Sequence, residues 1–136
     1  MTVTANSVIT AQSVQTAQAT CTAAKTTYAD ATNAVLLLTA GPNGGVLYGM
    51  TARPKGTTGG AGRVDVFASL NGTTLAFINS ANFASYTQST TAAPVASDLG
   101  YTETAPRRLA PSEQIWVGTS IAATNGIVVD AQYENL

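Results

Sequence analysis

The stretch RVDVFASLNGTTLAFI, residues 63–78, carries the clearest fold signal in the chain. Its first half alternates Val64, Val66, Ala68 and Leu70 with other side chains, as expected for a strand that buries one face. The pair Asn71-Gly72 then favours a type I′ hairpin turn, in which both central residues adopt positive φ. Residues 73–78 return with further apolar side chains. The stretch therefore predicts an antiparallel β-hairpin.

Two more hairpins are predicted on either side of this one. The run NAVLLLTA, residues 33–40, precedes the turn signal GPNGG at 41–45, and VLYGMTARP at 46–54 is expected to return as its partner, with Val46, Tyr48 and Met50 on one face. Towards the end of the chain, Ile115 and Val117 oppose Trp116 in a strand. TNG at 124–126 is then expected to reverse the chain into IVVDAQY at 127–133.

Shorter strands are predicted at 20–28, 99–101 and 107–110, and the glycine-rich stretch KGTTGGAG at 55–62 is interpreted as a hairpin loop. About eight strands with little helix indicate an all-β fold, an antiparallel β-sandwich of the jelly-roll kind. A chain of 136 residues suits one domain. We expect an extended N-terminal arm over residues 1–19 and the β-sandwich domain over residues 20–136.

Charged residues make up only 10% of the chain, with six Lys and Arg against seven Asp and Glu. A nearly neutral surface of small side chains suits a protein packed in an assembly, because it repels its neighbours weakly. Nucleic acid is not expected as a partner, since phosphate binding needs clustered basic residues. The one adjacent pair, Arg107-Arg108, is interpreted as flanking a strand and pairing with carboxylates or with a neighbouring subunit.

The opening stretch MTVTANSVITAQSVQTAQAT contains no charged residue, and the first charge of the chain is Lys25. It lacks the basic region and continuous apolar core of a secretory signal, and no segment is long enough in apolar residues to span a bilayer. We expect a chain kept in a cytoplasm, with an arm ordered by neighbouring subunits. Its interface residues are predicted to be Val3, Val8, Ile9 and Val14.

The residues that carry most enzyme chemistry are scarce. The chain has no histidine, which removes the commonest general base and metal ligand, and Cys21 is its only cysteine, predicted to be a small buried hydrophobe. No spacing suggests a metal, cofactor or catalytic site, so we expect no enzyme. One alternative stays open, a hydrolase in which two of Asp65, Glu113 and Asp130 pair in space.

Trp116 is the residue on which a ligand-binding hypothesis depends. An exposed tryptophan beside Tyr48 or Tyr133 could stack on a sugar ring. A single tryptophan in an alternating strand is more often part of a core or of a subunit contact. Both interpretations of Trp116 stay open at this point.

The arm, the predicted sandwich and three motifs resemble short structural proteins of tailed bacteriophages and phage-like particles, which are encoded close to the major capsid protein. The motifs are NAVLLLTAGPNG at 33–44, LNGTTLAFINSANFASYT at 70–87 and RRLAPSEQIWVGTSIA at 107–122. The resemblance covers most of residues 5–133.

This resemblance implies a head decoration, or cement, protein. Such a protein is assembled in the host cytoplasm, binds the capsid surface as a symmetric homo-oligomer, commonly a trimer, and clamps neighbouring capsomers. Its partners would be the major capsid protein and further copies of itself, with no nucleic acid or membrane. Contacts would come from the arm and from Trp116, Arg107 and Arg108. The alternative is a carbohydrate- or receptor-binding module of a phage tail or fibre.

Overall fold

A computed structural model describes residues 13–136, which form nine β-strands and no helix. No helix in this range could therefore cross a membrane. The strands are β1 (Ser13–Cys21), β2 (Val35–Thr39), β3 (Gly45–Pro54), β4 (Gly62–Ser69), β5 (Ala76–Phe83), β6 (Ser97–Asp98), β7 (Arg107–Leu109), β8 (Gln114–Thr119) and β9 (Ile127–Asn135).

The strands form two antiparallel sheets packed against each other, which confirms the predicted β-sandwich. In the five-stranded sheet, β9 lies between β1 and β3, and the short strands β6 and β7 both pair with the outer side of β3. The four-stranded sheet has the order β2-β8-β4-β5. One apolar core fills the space between the two sheets.

Alternation along each strand decides which side chains enter this core. On β8, Ile115 and Val117 are fully buried, and Trp116 between them lies on the opposite face, as predicted. The structure shows that this face points away from the core. On β4, Val64 and Val66 are buried in the core in the same way. The period-two pattern therefore identified the inward positions within these two strands, but Leu70, predicted on the same face as Val64 and Val66, lies beyond β4 and is exposed.

The hairpin between β4 and β5 is confirmed, but its predicted turn type is wrong. Ala68 pairs with Ala76, so a longer loop joins the strands, and only Gly72 of the Asn-Gly pair has a positive φ, of 78°. Side chains stabilise this loop in place of a mirror-image turn. Ser69 Oγ accepts a hydrogen bond from Gly72 N at 2.9 Å, and Asn71 Oδ1 accepts one from Thr74 N at 2.9 Å.

The other two predicted hairpins are wrong, because their strands lie in different sheets. The turn signals do reverse the chain: Gly44 N donates to Gly41 O at 3.0 Å, and Gly126 N donates to Ala123 O at 2.8 Å. After each reversal, however, the chain crosses the core, from β2 to β3 and from β8 to β9. The glycine-rich stretch at 55–62 is likewise not a hairpin loop, because residues 55–61 join β3 to β4 across the sandwich and Gly62 begins β4. A turn sequence specifies the reversal and not the layer of the returning strand.

Strand β3 also departs from the predicted alternation. Its register against β9 shifts between Leu47 and Gly49, which marks a β-bulge. Leu47 and Met50 are therefore both buried, whereas Val46 and Tyr48 are partly exposed. The prediction that Val46, Tyr48 and Met50 share one face is wrong, because the bulge inserts one residue into the alternation.

The predicted arm, residues 1–19, overlaps the first strand of the domain. Residues 13–19, assigned to the arm, form most of β1 and pair with β9 along an unbroken register. Of the strand predicted at 20–28, only residues 20 and 21 belong to β1, and residues 22–34 form a connection that we call the strap. Val14 thus lies in the domain's own sheet. The other predicted arm contacts, Val3, Val8 and Ile9, lie outside the described residues.

Candidate functional site

The outer face of the four-stranded sheet carries a row of large apolar side chains. Leu36, Trp116, Phe67 and Phe77 are register partners on β2, β8, β4 and β5, so they lie side by side across the whole sheet. We call these four residues the apolar row. Its two ends are the most open, with Leu36 42% and Phe77 47% exposed, whereas Phe67 is fully buried.

The strap covers the middle of this row and is anchored to the sheet by its backbone. Lys25 N donates to Thr119 O on β8 at 2.8 Å, and further along Ala29 O accepts from Leu75 N at 3.0 Å. The Lys25 side chain crosses β8 at Gly118, where a Cβ atom would lie only 2.9 Å from Lys25 Cδ. Glycine is therefore the residue that lets the strap lie flat on the sheet.

Lys25 is fully buried beneath the strap, which is unusual for a lysine. Its Nζ donates hydrogen bonds to the backbone oxygens of Asp30, at 2.7 Å, and Thr32, at 2.9 Å, and lies 3.5 Å from Asp30 Oδ1. It also lies 5.1 Å from the centre of the Phe67 ring, within the range of a cation–π interaction. The buried ammonium group thus fixes the strap in its position over the sheet.

Tyr28 on the strap joins the row to form an aromatic corner, defined here as Tyr28, Phe67 and Phe77. The Tyr28 and Phe77 ring centres are 5.5 Å apart at an interplanar angle of 81°, and those of Phe67 and Phe77 are 5.7 Å apart at 69°. Edge-to-face packing of this kind is the favoured arrangement of aromatic pairs. Tyr28 remains 40% exposed, so the corner is open to solvent on one side.

A charged pair lies next to the corner on β4. Asp65 is fully buried, with Arg63 Nε 2.9 Å from its Oδ1, yet neither carboxylate oxygen has a well-aligned hydrogen bond within residues 13–136. Burial raises the pKa of Asp65, and the positive charge of Arg63, the nearby Ser80 hydroxyl and the charge of Lys25 offset this only in part. Arg63 also donates to Tyr28 Oη, so it links the buried carboxylate to the strap.

Tyr28, Arg63 and Phe77 line a shallow cavity of about 260 Å³. Its walls are two aromatic rings, and Arg63 supplies guanidinium N–H groups at its rim. Such a surface can pack against apolar side chains or against the flat face of a ring. The charges beside it balance, because Arg63 and Lys25 lie close to Asp65 and Asp30.

Trp116 is half-buried in the apolar row, and its Nε1 donates to Gln114 Oε1 at 2.9 Å. Tyr48 and Tyr133 lie on β3 and β9 of the other sheet, so the predicted aromatic cluster with Trp116 is wrong. The partners of Trp116 are Leu36 and Phe67, which only the strand register identifies.

The predicted arginine pair lies on β7 in the five-stranded sheet, away from the apolar row. Arg107 Nη2 lies 3.5 Å from Glu113 Oε2, in agreement with its interpretation as a partner of a carboxylate. Arg108 is exposed, opposite Val46 on β3. The two arginines lie within β7, so the prediction that they flank a strand is wrong, and they do not contribute to the site on the apolar row.

The carboxylates proposed for a hydrolase are not brought together as a pair. Asp65 lies on the outer face of the four-stranded sheet, and Asp130 lies on the outer face of the five-stranded sheet, with the core between them. Glu113 is instead engaged by Arg107. Cys21 is buried, as predicted, and burial raises the pKa of its thiol to about 12, so the thiol stays protonated at neutral pH.

Lys25, Tyr28 and Phe77 belong to one surface that the sequence pattern did not predict. Gly118 was the available signal, because a glycine within a strand often marks the close approach of another segment.

Comparison of the chain with protein-family models, curated protein sequences and solved structures finds no match. The site must therefore be interpreted from its own chemistry.

Proposed function

We propose that this chain is a structural virion protein, a decoration or cement protein that binds an assembled capsid as a symmetric homo-oligomer and stabilises contacts between capsomers. The observation that carries the proposal is the apolar row on the outer face of the four-stranded sheet. The resemblance of the three sequence motifs to phage structural proteins supplies the class of partner, the major capsid protein.

The chemistry of the row favours contact with another protein. Exposed apolar side chains that lie together on one face mark interaction surfaces, and aromatic residues are enriched at their centres. Leu36 and Phe77 leave apolar area open at both ends of the row, while the nearby charges are neutralised in pairs. A weak contact of this kind suffices on a shell, because many copies in a linked oligomer bind by avidity.

The order of the strands supports the finer assignment of a jelly roll. From β1 to β5, successive strands lie alternately in the five-stranded and four-stranded sheets until β4 and β5 pair as a hairpin. The final strands β8 and β9 again lie in opposite sheets, each inserted between earlier strands. A double-sheet fold wound in this way is what a jelly roll requires.

Capsid binding can be tested with shells assembled from a phage major capsid protein, the class of partner that the resemblance implies. Leu36→Ser should reduce the amount of protein that co-sediments with shells by about tenfold, because it removes an exposed end of the row. Leu70→Ser is the matched control, since Leu70 is 72% exposed in the loop after β4, away from the row. Equal loss of binding in both variants, or in neither, would count against the row as the capsid contact.

The arm can be tested separately, with a boundary that the structure corrects. Deleting residues 2–12 leaves β1 intact, whereas deletion through residue 19 would remove most of a strand that pairs with β9. We expect the shorter deletion to keep the thermal unfolding midpoint and to lose shell binding, because Val3, Val8 and Ile9 are removed. Normal decoration of shells by the truncated chain would refute a role for the arm.

The cavity beside Tyr28 favours a second candidate function, a carbohydrate-binding module. Aromatic rings and arginine N–H groups can hold a sugar ring by stacking and hydrogen bonding. In that case Phe77→Ala should abolish binding to a glycan array, while Val95→Ala, at an exposed loop position, should leave it unchanged. Failure of the unmodified chain to bind any glycan on the array would argue against this candidate.

A further inference from the structure

Strand β1 is an open edge of the five-stranded sheet. It pairs with β9 on one side, and no strand within residues 13–136 pairs with its other side. Its nine residues keep an unbroken register with β9 and contain no charged residue and no proline. An edge of this length presents a row of backbone donors and acceptors that are available for another strand.

The other sheet edges of the described chain are protected. The outer side of β3 is covered by β7 near Gly45 and by β6 near Thr51. Strand β2 is only five residues long and carries a register shift between Leu36 and Leu38. On β5, Asn79 Nδ2 donates to Leu99 O at 2.6 Å, so a loop segment lies along this strand. Natural proteins use such devices to prevent unwanted strand pairing, and residues 13–136 place none of them on β1.

We infer that the outer edge of β1 pairs with the same edge of a second copy of this chain, antiparallel about a two-fold axis, so that two five-stranded sheets become one. The inference shares with the proposed function only the premise that the chain associates with itself, and it specifies a two-fold contact. If the trimer implied by the resemblance also forms, this contact joins one trimer to another.

A second copy is the partner that fits this edge best. Pairing along the whole of β1 requires a partner strand of equal length, and a two-fold axis supplies one by symmetry, with the same patch on both subunits. Since β1 has no charge, no like charges meet when it pairs with itself. With Ala17 on the axis, Thr16 of each copy faces Gln18 of the other. These two side chains are exposed on the solvent side of the sheet.

Charge substitutions at these two positions test the pairing without altering the core. T16K/Q18K places like charges directly opposite each other across the axis. T16E/Q18K places an introduced carboxylate opposite an introduced ammonium group, which should restore the contact. In both variants the substituted position 18 lies beside Asp130 of its own sheet, so the added positive charge is tolerated. A matched control is T90K/A92K, at exposed positions of the loop after β5.

Association is measured on the full chain by sedimentation equilibrium in the absence of shells, with thermal unfolding to verify that each variant is folded. We expect an even-numbered oligomer for the unmodified chain and the control, a dissociation constant at least about tenfold higher for T16K/Q18K, and recovery in T16E/Q18K. A monomeric or purely trimeric unmodified chain, or equal association of both charged variants, would overturn the inference. The co-sedimentation of Leu36→Ser with shells tests the proposed function independently of this result.

Discussion

The outer faces of the two sheets differ sharply in chemistry. The four-stranded sheet presents the apolar row, and its strap buries Lys25 beside it. The five-stranded sheet presents mostly polar side chains at the corresponding outward positions, among them Thr16, Gln18 and Gln132, and Val14, 69% exposed on β1, is an apolar exception. Both sheets pack on the same core through the same alternation, so packing does not require this difference.

The four-stranded sheet carries buried charged groups that the folding of this small domain does not require. A buried lysine and a buried carboxylate are costly to desolvate, and both lie on the face with the apolar row. The polar face needs no such groups, and no strand within residues 13–136 covers the free edge of β1. We therefore assign the apolar row to contact with a different protein, and the edge of the polar sheet to contact with a second copy of this chain. Three substitutions test the groups that support the apolar row.

The largest effect is expected where the strap is anchored. Lys25→Met keeps an apolar stem but removes the two hydrogen bonds to Asp30 O and Thr32 O, so the free energy of unfolding should fall by about 2–4 kcal/mol. Lys55→Met, at an exposed lysine, should change it by less than about 0.5 kcal/mol. Urea unfolding monitored by fluorescence measures both. Equal effects at the two lysines would show that the strap does not depend on Lys25.

A smaller loss is expected where the strap crosses the sheet. Gly118→Ala places a Cβ atom 2.9 Å from Lys25 Cδ and should lower the free energy of unfolding by about 1–3 kcal/mol. Gly59→Ala is the control, because a Cβ atom there would come no closer than 3.8 Å to a neighbouring atom. If Gly118→Ala is as stable as the control, the strap is not packed tightly on β8.

The smallest effect concerns Asp65 and depends on pH. Burial raises the pKa of Asp65 in the folded chain. The protonated carboxyl group therefore adds to the free energy of unfolding at pH values below 3.8, the ordinary pKa of an aspartate. This contribution to stability is lost as the pH rises through the raised pKa. The stability of the unmodified chain relative to Asp65→Asn should therefore increase as pH falls from 7 towards 4. Urea unfolding of both chains across this range measures the difference. A relative stability that falls over this range would contradict the assigned direction.

The contribution of the exposed Asp30 carboxyl group to stability depends on pH in the opposite direction. Hydrogen bonds from Thr27 Oγ1 and Thr32 N lower its pKa, so its contribution is present above 3.8 and is lost as pH falls further. Asp65 should therefore be tested against its own asparagine variant, in which Asp30 is unchanged. The comparison cancels the contribution of Asp30.

Much of the strand content could be predicted from the sequence, because alternation and turn signals are local. The strand containing Ile115 and Val117 and the hairpin from β4 to β5 are examples. The site could not be predicted in the same way. Leu36, Phe67, Trp116 and Phe77 are spread over most of the chain, and only the order β2-β8-β4-β5 makes them neighbours.

The sequence by itself determined the class of the fold and the inner face of several strands, since side chains alternate across a strand whatever lies beside it. Only the tertiary structure decided which strands share a sheet, because a turn reverses the chain equally well within a layer or across the core. It also decided that Lys25 is buried and that Gly118 must be small. These properties depend on a segment that folds back over a strand about ninety residues further along the chain.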